Sequence, residues 1–68
     1  MNLHHFNKQY EQVMHSGGPK DKVNRELADL MSQMEKAFKI PMMASPKWEK
    51  ENRAVIALYR KISMSRSL

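Results

Sequence analysis

Three stretches of the chain repeat their apolar residues at a spacing near 100° per residue, the period that gathers them on one side of an α-helix. In the first, Leu3, Phe6, Tyr10, Val13 and Met14 form the stripe. In the second it consists of Val23, Leu27, Leu30, Met31, Met34 and Phe38, with Ala37 at its margin. The third stretch carries Trp48, Val55, Ile56, Leu58, Tyr59 and Ile62. Placed on one continuous helix, these sweep roughly 160° of the wheel, against roughly 120° for the second stretch. An alternation of period two, the mark of a strand, is sustained nowhere.

Breaks between the stripes are marked by residues that end and start helices. Ser16-Gly17-Gly18-Pro19 sets a helix-ending glycine pair before a proline that can open the next helix. Ile40-Pro41 is a second stop, because the residue before proline is pushed out of the α region. Ser45-Pro46 is a second start: the hydroxyl can accept from a free N–H of the first turn, and proline there loses no hydrogen bond. Helices are expected at about 2–15, 20–39 and 46–63, with a tail at 64–68.

The fold class is therefore all-α: a small three-helix bundle with short connections, one domain over 1–68. Its expected core is Leu3, Phe6, Tyr10, Val13, Val23, Leu27, Leu30, Met34, Phe38, Trp48, Val55, Tyr59 and Ile62. The wide arc of the third helix is expected to let it touch both others. Opposite charges spaced four apart, Lys22/Glu26, Arg25/Asp29, Glu35/Lys39 and Glu49/Arg53, are expected to pair on solvated outer faces.

Size raises the prior for association. A chain of 68 residues builds one modest core, and a domain of this size buries only about 60% of its unfolded surface. With no cysteine there is no disulfide to add stability. Residues 1–10 lack the apolar segment of a signal peptide, and the longest apolar run, Ala54 to Tyr59, is far too short for a membrane span. The expected location is cytoplasmic.

Charge is uneven. The chain carries +5 formally, and its basic excess falls in the last third, where Lys47, Lys50, Arg53, Arg60, Lys61 and Arg66 face only Glu49 and Glu51. Lys50, Arg53, Arg60, Lys61 and Arg66 form the candidate nucleic-acid-binding set, since a basic face is the footprint of a polyanion. Aromatic residues do not interleave with it, so base stacking is not expected. A helix-turn-helix is disfavoured: Asp21, Glu26 and Asp29 on the second helix would oppose phosphate, and the connection from Lys39 to Ser45 exceeds the usual turn.

Catalytic residues are not apparent. There is no cysteine nucleophile and no phosphate-binding loop, and Gly17-Gly18 reads as a helix end. A cleft of about 300 Å³ is hard to build from three short helices, so no small-molecule substrate is expected. His4, Glu11 and His15 share one side of the first helix, but His4 lies about 10 Å along the axis from Glu11. Glu11 and His15 alone do not close a metal site and read as a surface charge pair. Neither a catalytic group, a metal nor a cofactor is expected.

Seven methionines are many for this length. Met14, Met31 and Met34 are expected to fill gaps in the core, and Met42 and Met43 in the second connection to seal its end or offer an adaptable docking surface, sealing being favoured. Asn52 falls inside the third apolar arc, where its amide is expected to meet water or bond across an interface. The candidate protein-binding patch is Met42, Met43, Trp48, Asn52 and Ile56. The first functional expectation is a non-catalytic interaction module, a small regulator or subunit that docks an unidentified protein partner or its own copy. The second is a weak, sequence-independent nucleic-acid binder. Docking of the third helix on a membrane ranks below both, because it competes with the core for one apolar face.

Overall fold

In the computed structural model, which describes residues 2–43 and 45–66, the chain is an all-α bundle with helices α1 (Leu3–Ser16), α2 (Lys20–Phe38), α3 (Pro46–Glu51) and α4 (Arg53–Ser65). The tail expected from 64 begins later, since α4 runs through Ser65, and Ser67 and Leu68 lie outside the described residues.

Each helix start has a local cause. Asn2 caps α1, its side-chain oxygen accepting from the His5 N–H at 2.9 Å. Between α1 and α2 the chain reverses through Gly17 and Gly18, at φ 68° and 105°. Pro19 is the residue before α2 rather than its first turn, and its carbonyl accepts from Val23. α2 stops at Lys39, which adopts the left-handed conformation (φ 54°, ψ 49°) so that its N–H and that of Ile40 both reach the Glu35 carbonyl. Ser45 caps α3 by accepting from the Trp48 N–H, with Pro46 in the first turn.

The expected third helix is broken at Asn52 (φ −129°, ψ 47°), which separates α3 from α4. Its amide has a partner within the chain: Nδ2 donates to the Trp48 carbonyl at 2.9 Å. A short amide bonding to nearby backbone competes with regular helix geometry, which is why asparagine favours helix ends. The backbone stays satisfied across the break, because the Asn52 N–H also reaches Trp48 and its carbonyl accepts from Ile56.

Contacts fix the topology. Phe6, early in α1, stacks edge-on against Phe38 at the end of α2, so these helices are antiparallel. Tyr59 bonds Glu35 while Arg66 reaches Met31, so α4 is antiparallel to α2. Tyr10 bonds Ser65 Oγ at 2.7 Å, and Leu3 shares a groove with Ala54 and Ala57, so α4 runs parallel to α1.

As expected of the third stretch, its longer part α4 touches both α1 and α2, more extensively α2, and among the helices α3 packs only on α4. The wide arc assumed one helix from 46 to 63; the break re-aims its first two turns. Phe6, Tyr10, Leu27, Leu30, Met34, Leu58 and Ile62 are buried, with Leu3, Val13, Val23, Met31, Phe38, Ile40, Val55 and Tyr59 packed against them. Each buried large side chain contributes about 1.5–3 kcal/mol before chain entropy is subtracted. Trp48, expected in this core, lies outside it, and Met14, expected as a gap-filler, is 46% exposed.

Candidate functional site

The break at Asn52 and the stop at Lys39 together shape one end of the bundle. Between them the connection from Ile40 to Ser45 passes α3 and the start of α4, and a hollow of about 110 Å³ opens there. Ile40, Pro41, Met42 and Met43 supply its loop side, Trp48 and Glu49 its α3 side, Ile56 and Tyr59 its α4 side. Met42 and Met43 do not seal the core: they are 104% and 83% exposed. Ile40 packs on the core instead, and Pro41 follows it, so the two thioethers are carried outward beyond the plug.

Four members of the expected protein-binding patch, Met42, Met43, Trp48 and Ile56, line this hollow. Asn52 does not. It acts from behind, setting the angle at which α3 leaves α4 and so where Trp48 stands. Tyr59 and Ile40 complete the walls and were not in that patch. Their signal was present, since Tyr59 belongs to the third apolar arc and Ile40 precedes the loop, but both read as core or as punctuation.

Electrostatics around the hollow depart from the expected pairs. Glu49 bonds Arg60 at 2.5 Å, eleven residues along, rather than Arg53. The break lets α3 approach α4 closely enough for that. Glu35 accepts from the Tyr59 hydroxyl, Asp29 from Gln33 and Glu11 from Asn7, in place of Lys39, Arg25 and His15. Among the described residues Arg60 and Glu49 form the one ion pair within 4 Å. Burial, with the hydrogen bond and charge of Glu35, pushes the Tyr59 hydroxyl up to about 12.

The candidate nucleic-acid set is spread over different sides of the molecule. Lys50 and Arg53 are exposed on α3 and at the start of α4. Arg60 is held by Glu49, and the Lys61 ammonium sits 5.3 Å from the Tyr10 ring centroid, toward α1. Arg66 turns the other way, half-buried, with Nη1 3.8 Å from Met31 Sδ on α2.

A larger groove than three short helices were expected to allow lies between α1 and α2, at about 410 Å³. Gln9, Gln12, Ser16, Glu26, Asp29 and Gln33 line it over Val13 and Leu30. The Ser16 hydroxyl is spent on the Val13 carbonyl of its own helix, and no histidine or lysine stands in the groove to activate it. Among the described residues no group of three or more His, Asp or Glu side chains is gathered as for a metal ion. None of the described helices is long and apolar enough to cross a membrane. No protein-family model matches the chain, and no curated protein or solved structure does either.

Proposed function

We propose that this chain is a non-catalytic protein-interaction module, a small cytoplasmic regulator or subunit, that docks another protein through the end of the bundle formed by the α2–α3 connection, α3 and the start of α4. The observation that carries this reading is the exposure of Met42 and Met43 beside a hollow walled by Trp48 and Ile56. Exposed apolar side chains grouped around a concavity mark contact surfaces, and methionine, flexible and polarizable, adapts to a partner's shape. A nucleic-acid reading draws less support, because Arg60, Lys61 and Arg66 are each engaged within the fold and point to different sides.

A double variant, Met42→Ser with Met43→Ser, tests the proposal. Both side chains are exposed, so the variant should keep the helical content and thermal midpoint of the parent. Proteins co-purified from nuclease-treated native cell extract by the parent should be lost by the variant. Recovery of the same proteins in equal yield by both would refute the docking surface.

A further inference from the structure

The hollow has a charge as well as a shape. Lys39 immediately precedes Ile40 and Lys47 immediately precedes Trp48, and both lysines are exposed, so a cationic residue adjoins a wall residue on the loop side and on the α3 side of the hollow. Lys50 and Arg53 follow, also exposed. Of the nearby carboxylates Glu49 is offset by Arg60, whereas Glu35, on the α2 side, accepts only from the neutral Tyr59 hydroxyl. Only Glu51, on α3, remains as an exposed acid in the stretch from Lys39 to Arg53.

We infer that the occupant of this hollow is an acidic amphipathic segment of another protein, with one apolar side chain seated beside Trp48 and its carboxylates placed against Lys39, Lys47 and Lys50. This rests on the docking reading above. A second copy is disfavoured by symmetry: in a two-fold contact the same patch meets itself, and the lysine rims would oppose one another. A lipid surface calls for a continuous apolar face that projects into it, whereas here only Met42 and Met43 project and Trp48 is half-buried in the wall of a concave notch. A nucleic-acid strand would use the lysines but leave Met42 and Met43 without an apolar partner.

Selection of random dodecapeptides displayed on phage against the intact chain, followed by fluorescence titration of the selected peptides on Trp48, the single tryptophan, tests the inference. The selected sequences should carry a leucine or aromatic anchor among aspartates and glutamates. Their affinity should fall about tenfold or more between about 50 and 300 mM salt, as rim charge pairs are screened. Charge reversal by Lys39→Glu with Lys47→Glu should weaken them by about tenfold or more, and Met42→Ser with Met43→Ser should abolish selection.

Anchored sequences without acidic excess, still dependent on Met42 and Met43, would overturn the partner's chemistry and leave the docking surface standing. Sequences indifferent to both methionines would overturn the two together. Phosphatidylglycerol vesicles and a single-stranded oligodeoxythymidylate are titrated alongside. Tighter binding of either than of any selected peptide would overturn the inference in favour of a lipid or nucleic-acid surface.

Discussion

At Tyr59 the hydroxyl donates to Glu35 Oε2, and burial first, then this bond and the carboxylate's charge, push its pKa up to about 12 against the opposing influence of Arg66. The folded value lies above the unfolded one of 10.0, so the neutral phenol is the form that folding favours. Its contribution to stability is complete below about pH 10 and is lost as the pH rises toward 12. Tyrosinate absorbance should therefore show a component near 12 that Tyr59→Phe removes, and the variant's stability should depend less on pH in that window. A Tyr59 that ionises near 10 would sink this account. The same residue shows why the surface pairs were illegible. Spacing along one helix reveals only neighbours on that helix, and Glu35, Glu49 and Asp29 found partners through tertiary contact or uncharged amides.

Helix boundaries were read with more success, because glycine, proline and serine act locally. Gly17 has φ 68° and ψ −154°, a region open essentially to glycine alone. A β-carbon there would meet nothing within 4 Å, so the whole cost of Gly17→Ala is conformational. It should destabilise the protein by about 1–3 kcal/mol, measured by urea unfolding; an unchanged midpoint would show that the turn relaxes freely. Lys39 is the converse case, a long side chain where glycine would sit more easily. Lys39→Gly should stabilise the bundle by about 1 kcal/mol and weaken an acidic peptide at the hollow. If both effects appear, the left-handed lysine is kept for its charge. The stop at Ile40-Pro41 was expected to end the helix at about Lys39, and it ends at Phe38 with Lys39 itself left-handed. Asn52 was visible in the sequence as an oddity. Its role as a breaker was not, because the apolar period continues across it.

For the whole molecule, the buried interior follows the apolar stripes of α1 and α2 closely, since both helices run unbroken and the period holds from end to end. α4 is less faithful. Leu58 sits with Val55 and Ile62 on the inner face of α4, while Trp48, beyond the bend, leaves the interior for the wall of the hollow. That bend divides the protein into parts of unequal permanence. α3 rests on α4 alone and contributes nothing to the buried set, whereas α2 is gripped from two sides. Backbone amides of Glu49 to Glu51 should exchange with deuterium well before those of Leu27 to Met34, measured by time-resolved exchange at neutral pH; equal rates would mean that the short helix shares the fate of the rest. Unequal rates would give one chain two lifetimes: a durable body, and a flap that can swing aside and return many times before the body itself comes apart.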